Sequence, residues 1–158
     1  MLNVLFLCTG NSCRSIMAEA TLNHLGGDKF TAYSAGSFPT GEIHPLSLET
    51  LKARGISTQG YHSKSWDEFS DKQIDIVITV CDNAAGETCP IFLGKTIKAH
   101  WGVPDPAKFE GTVDATKAEF ERIYKMLEQR IRALINLPLE QMDTNELQQK
   151  LNAIGQAA

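Results

Sequence analysis

The sequence predicts an α/β domain in which one parallel sheet carries helices on both faces. Strand-like and helix-like segments alternate along the chain, and the strand candidates are apolar at almost every position, as strands covered on both sides are. At 158 residues the chain is one domain's worth, long enough to bury its own core without a metal or disulfide scaffold.

Leu2 to Leu7 is the first strand candidate, followed by a turn and then by helix formers from Ile16 to Leu25 that stop at Gly26-Gly27. Phe30 to Ala35 is a second strand, closed by Gly36, and Pro45 to Arg54 a helix with Gly55 in the stop position. Trp66 to Gln73 reads as helical. Ile74 to Val80 is β-branched almost throughout, and Ile97 to Val103 is the last strand, running into Pro104-Asp105-Pro106, which forbids further pairing. The longest helix shows Phe120, Ile123, Tyr124, Leu127, Ile131, Leu134 and Ile135 on one 3.6-residue face, with Thr116 and Glu119 as a capping box and Pro138 as its end. Asp143 with Glu146, then Leu147, Leu151 and Ile154 before Gly155, describe a short final helix.

Fifteen basic against nineteen acidic residues leave a net charge of −4, without a basic cluster, so neither nucleic acid nor an anionic membrane is an expected partner. Mean hydropathy is −0.19, and the first residues lack the basic stretch and long apolar run of a signal peptide or spanning helix, so a cytoplasmic protein is expected. In such a compartment the four cysteines read as buried residues, metal ligands or reactive thiols rather than structural disulfides.

Ligands of open parallel sheets bind beyond the carboxyl ends of the strands, and three segments meet that condition: Cys8 to Ser15, Cys81-Asp82-Asn83, and Pro104-Asp105-Pro106. In the first, Cys8-Thr9-Gly10-Asn11-Ser12-Cys13-Arg14-Ser15 turns from strand to helix. Backbone N–H groups of such a turn point inward as an anion nest, the helix N-terminus adds positive charge, and Arg14 can grip two oxygens of a tetrahedral oxyanion. The same field favours the thiolate of Cys8, which the Ser15 hydroxyl can stabilise, while Gly10 allows close backbone approach. An ordinary strand–helix turn with a buried cysteine is the competing reading, and Cys13 reads as a structural thiol. Asp105, stiffened by two prolines, is placed to protonate a leaving oxygen, although Pro-Asp-Pro is also common turn composition.

The octad, together with His100-Trp101-Gly102-Val103-Pro104-Asp105-Pro106, resembles the low-molecular-weight tyrosine phosphatase superfamily, and Cys81 to Pro90 is similar to its thioredoxin-coupled arsenate reductase branch. The resemblance covers residues 1–137, taken as the catalytic domain, and leaves 138–158 as a C-terminal helical extension. It implies a three-layer, flavodoxin-like fold whose four parallel strands run in the order 2-1-3-4. Cys8 is then the nucleophile, Arg14 the oxyanion clamp and Asp105 the acid, with Thr9, Gly10, Asn11, Ser12, Cys13, Arg14 and Ser15 around the substrate.

Within that resemblance Cys81 and Cys89 separate reductase from phosphatase, because reducing arsenate needs two electrons, which thiols supply by forming a disulfide. The implied relay runs from Cys8 to Cys81 to Cys89, and the final Cys81–Cys89 disulfide is reduced by thioredoxin or a similar dithiol. A helical Cys81–Cys89 segment would hold the Cα atoms about 12 Å apart against the roughly 7 Å a disulfide permits, so the segment must unwind, helped by Gly86 and limited by Pro90. The alternatives are a phosphatase using Cys8, Arg14 and Asp105, a non-catalytic redox sensor, and a zinc site on Cys8, Cys13, Cys81 and Cys89, whose spacing is too wide. No bound cofactor is expected. The branch also implies a potassium site beside the loop: Asn11, Glu19, Ser34 and Ser63 match it, but Ser65 stands where the branch has a carboxylate. His24, His44, His62, His100, Trp66 and Trp101 read as structural or exposed.

Overall fold

The computed structural model describes residues 2–80 and 96–156, so the expectations for Cys81, Gly86, Cys89 and Pro90 lie outside the described residues. Four parallel strands form one sheet in the order β2-β1-β3-β4: β1 (Leu2–Cys8), β2 (Phe30–Gly36), β3 (Ile76–Thr79) and β4 (Ile97–His100). This is the expected order. Val4, Leu5, Phe6 and Leu7 of β1 point alternately to the two sides of the sheet and are all fully buried, so both faces of the central strand are covered. The register places Cys8 opposite Gly36 and Thr79 opposite both Leu7 and His100, which lines up the carboxyl ends along one edge.

Helix α1 (Arg14–Leu25) lies on β1 and β2 and is buried continuously from Ser15 to Leu22, because α2 (Pro45–Lys52) and α3 (Val113–Ile135) cover its outer side. The stripe on α3 is buried at Phe120, Ile123, Tyr124, Leu127, Ile131 and Leu134, as its period requires. The last helix, α4 (Thr144–Gln156), packs on the edge strand β4 and on α3, burying Leu151. Among the described residues no helix is long and apolar enough to cross a membrane.

Several boundaries differ from those expected. Pairing with β1 begins at Ile76, and Trp66–Phe69 is a single 3-10 turn rather than a helix, capped by the Ser65 hydroxyl, which accepts from Asp67 N–H at 3.1 Å. The cap of α3 lies four residues upstream of the expected box. Thr112 accepts from Ala115 N–H at 3.1 Å, Thr116 donates its hydroxyl to the Thr112 carbonyl, and Glu119 pairs with Arg122 instead. Asp143 does cap α4, accepting from Glu146 N–H at 2.8 Å, but Gly155 does not end it. A Cβ at Gly155 would stand 2.7 Å from the Trp101 ring and collide with the His100 carbonyl. That glycine is needed for close packing of the helix on β4, and Trp101 Nε1 donates to the Leu151 carbonyl at 2.9 Å across the same contact.

Candidate active site

β1 ends at Cys8 and the chain passes through residues 9–13 into α1 at Arg14. The loop carbonyls are held by the wall that follows β2. Thr9 O accepts from Phe38 N–H at 3.0 Å, Gly10 O from Thr40 N–H at 3.0 Å and the Ser63 hydroxyl at 3.1 Å, and Ser12 O from His44 N–H at 3.1 Å and the Ser47 hydroxyl at 3.0 Å. In a planar trans peptide the next N–H points the opposite way, so the amides of Gly10, Asn11 and Cys13 are directed away from that wall, the arrangement of an anion nest.

Asn11 makes the turn possible. Its φ is 48°, a left-handed conformation that asparagine tolerates better than most side chains, and the residue is fully buried. Nδ2 donates to Ser15 Oγ at 2.8 Å and Oδ1 accepts from Lys64 N–H at 2.9 Å, so both ends of the amide are used. Ser15 keeps its own hydroxyl hydrogen for another acceptor. Gly36 closes the same corner: a Cβ there would lie 2.8 Å from the Cys8 carbonyl and closer still to that of Thr9.

Arg14, at the mouth of the loop, donates from Nη1 to the Val103 carbonyl at 3.1 Å, and its Nη2 stands 3.5 Å from Asp105 Oδ2. Its buried Nε has no protein partner among the described residues, which leaves a guanidinium N–H for a ligand. The other Asp105 oxygen accepts from Ala107 N–H at 3.0 Å, starting a short 3-10 turn at Pro106. The structure therefore brings together the Cys8 loop, Arg14 and Asp105 from opposite ends of the chain. Cys8 and Cys13 are both buried thiols; burial pushes the Cys13 thiol up from its ordinary value, in keeping with a structural role.

Two residues escaped the sequence reading. Arg130 of α3 donates from Nη1 to the carbonyls of Trp101 at 2.9 Å and Gly102 at 3.2 Å, steadying the segment that leads to Asp105. Its signal was present, since it falls on the apolar stripe between Leu127 and Leu134, where an unpaired charge would be costly. Lys64 carried no such signal. Its backbone holds the loop from behind, donating to Asn11 and accepting from Gly36 N–H at 2.9 Å, and its side chain is buried.

Behind the loop, Glu19 is buried and accepts from the Ser34 hydroxyl at 2.6 Å. Burial pushes its carboxyl up to about 7, against the opposing pull of the Lys64 ammonium and the Ser34 hydrogen bonds. Ser63 uses its hydroxyl on Gly10 O and accepts from Gly41 N–H at 3.2 Å. Asn11, Glu19, Ser34 and Ser63 thus lie around the back of the loop, where the Lys64 side chain lines the same cavity as Glu19 and its ammonium already offsets that carboxylate. With that ammonium in place the set does not fit a bound monovalent cation.

A strand-to-helix cysteine loop, closed by an arginine that meets an aspartate from a distant turn, defines a class of α/β enzymes that handle tetrahedral oxyanions by cysteine attack. The chain belongs to the low molecular weight phosphotyrosine protein phosphatase family, whose sequence profile matches residues 3–152. An arsenate reductase of Halalkalibacterium halodurans is 38% identical over 129 residues, covering 82% of this chain and 91% of that protein. A solved arsenate reductase in its phosphate-binding state superposes with a TM-score of 0.67 at 28% identity, over 85% of this chain and 97% of that one. A thioredoxin-dependent arsenate reductase of Corynebacterium glutamicum gives 0.57 at 31% identity, over 84% of this chain and 62% of that one.

Proposed function

We propose that this protein reduces arsenate to arsenite through the thiols of Cys8, Cys81 and Cys89, with thioredoxin or a similar dithiol protein as the final reductant. The observation that carries the oxyanion chemistry is the meeting of Arg14 and Asp105, 3.5 Å apart, at the mouth of the Cys8 loop, and the two further cysteines, Cys81 and Cys89, favour reduction over the hydrolysis that the same three groups could serve. The relatives named arsenate reductases support the substrate, and the thioredoxin-dependent neighbour supports the electron donor. Phosphate, of the same shape and charge, is the expected competitor.

In the first step the Cys8 thiolate attacks arsenic, and Asp105 supplies a proton so that an arsenate oxygen leaves as water. Arg14 and the loop amides hold the remaining oxygens, offsetting the charge that builds on them. Cys81 then attacks the Cys8 sulfur. A Cys8–Cys81 disulfide forms, the sulfur–arsenic bond breaks, and its electron pair leaves with arsenic as arsenite. Cys89 attacks Cys81 next, returning Cys8 as a thiolate and leaving Cys81–Cys89 oxidised, and two electrons from the dithiol protein close the cycle. A reducing cytoplasm suits this chemistry.

The test is arsenate-dependent NADPH oxidation with thioredoxin and thioredoxin reductase, on the wild type and on Cys8→Ser, Cys81→Ser and Cys89→Ser. Turnover in the wild type that vanishes in all three variants is the expected outcome. Absence of turnover, with hydrolysis of an aryl phosphate that needs Cys8 alone, would overturn the reading in favour of a phosphatase.

A further inference from the structure

The lysine behind the anion loop has no role in the steps above, yet it occupies an unusual place. Lys64 is only 9% exposed, and its ammonium donates to the His62 carbonyl at 2.7 Å. Burying an ammonium is costly unless negative charge offsets it. Here Glu19 of α1, 5% exposed, supplies the offset from inside, and Glu68 supplies more from the 3-10 turn at Trp66–Phe69. Glu19 and Lys64 share the lining of a cavity of about 430 Å³ with His62, Tyr61, Glu68 and Lys72. Lys72 is placed elsewhere in that lining, its ammonium lying 5.1 Å from the Tyr33 ring centre.

We propose that the Lys64 ammonium is the built-in counter-charge of the Glu19 carboxylate behind the anion loop, and that it replaces the potassium ion to which Asn11, Glu19, Ser34 and Ser63 would otherwise be suited. The physical need is simple. An uncompensated carboxylate buried behind the loop repels any oxyanion bound in front of it, and a fixed positive charge removes that repulsion. Lys64 is well placed to serve, because its own backbone clamps Asn11 and Gly36, the two residues that shape the loop. Potassium is then superfluous in the native chain, and removal of the ammonium creates a demand for it that the cavity can admit.

The inference rests on the loop's being an oxyanion site, not on arsenate reduction. It is tested by calorimetric titration with inorganic phosphate at about pH 8, where Glu19 is ionised, in potassium chloride and in choline chloride of equal ionic strength. Wild type should bind phosphate with the same Kd in both salts, to within about twofold. Lys64→Met should bind about tenfold more weakly in choline and recover most of that loss in potassium. Lys64→Arg should stay indifferent to the salt, as should Glu19→Gln/Lys64→Met, which has no charge left to compensate. Wild-type affinity that strengthens with potassium overturns the proposal even if every Lys64 variant fails to fold, and so does a Lys64→Met protein that matches wild type in both salts. Failure of wild type to bind phosphate in either salt would instead overturn the oxyanion reading of the loop, and the proposal with it.

Discussion

The back and the front of the Cys8 loop are built differently. At the back, the loop carbonyls, the Asn11 amide and the Ser63 hydroxyl are committed to hydrogen bonds in a buried setting, and Glu19 and Lys64 lie beneath them. At the front, Asp105 is 23% exposed, meets Arg14 at 3.5 Å, and reaches the body of the fold through Val103, Gly102 and Trp101. The back sets the shape of an anion cradle before any ligand arrives. The front keeps Asp105, the proton donor of the proposed mechanism, where water and substrate can reach it. Binding and proton transfer therefore draw on separate sets of contacts and should respond separately to substitution.

The largest effect is expected from Arg14→Lys, which touches both sides at once because Arg14 belongs to the loop and meets Asp105. A point charge cannot reproduce the planar fork, so phosphate affinity and arsenate turnover should both fall by about 100-fold while circular dichroism stays unchanged. Loss of only one of the two would show that the front and back are not coupled through this residue.

Next comes Glu19→Gln, which probes the back alone. The folded carboxyl holds its proton up to about 7 whereas the unfolded one releases it near 4.5, so the contribution of Glu19 to wild-type stability is complete below pH 4.5 and is lost as pH rises through about 7. Glutamine keeps an acceptor for Ser34 and escapes that decline. Denaturant unfolding across this range should show the variant gaining on wild type by up to about 3 kcal/mol, whereas parallel curves would mean that Glu19 ionises freely.

Asp105→Asn addresses the front. Asparagine still accepts from Ala107 N–H, so the turn persists and phosphate affinity should not fall, while kcat drops by about 10- to 100-fold. A weakened phosphate affinity with kcat intact would reverse the roles assigned to the two sides. The smallest effect is expected at Thr112→Ala, which removes the cap of α3 on neither side of the loop. It should lower stability by about 1 kcal/mol in thermal unfolding and leave phosphate affinity alone.

Much of the site was legible because its chemistry is contiguous. The octad from Cys8 to Ser15 brings the proposed nucleophile, cradle and clamp together in one strand–helix turn, whereas the acid role of Asp105 came from the resemblance, because Pro-Asp-Pro by itself is also common turn composition. The capping of α3 was misplaced because Thr116 with Glu119 matches the capping-box pattern, whereas Thr112 has Ala115 three residues on and caps through its hydroxyl alone. Gly155 resembled a helix stop for a similar reason: local rules see a glycine near a helix end, whereas the packing distance to Trp101 and His100 is invisible to them.

What the sequence determined by itself is the alternation of strands and helices, the nest after β1 and the groups in it that could attack and clamp, because each depends on neighbours within a few residues. What only the tertiary structure decided is how those groups meet. Arg14 and Asp105 are ninety-one positions apart, as their numbers show, and Lys64 reaches the Cys8 loop from a stretch with no periodic signal. Such contacts are set by the parallel register of the sheet and by desolvation in the folded interior, and neither quantity exists until distant segments have packed together.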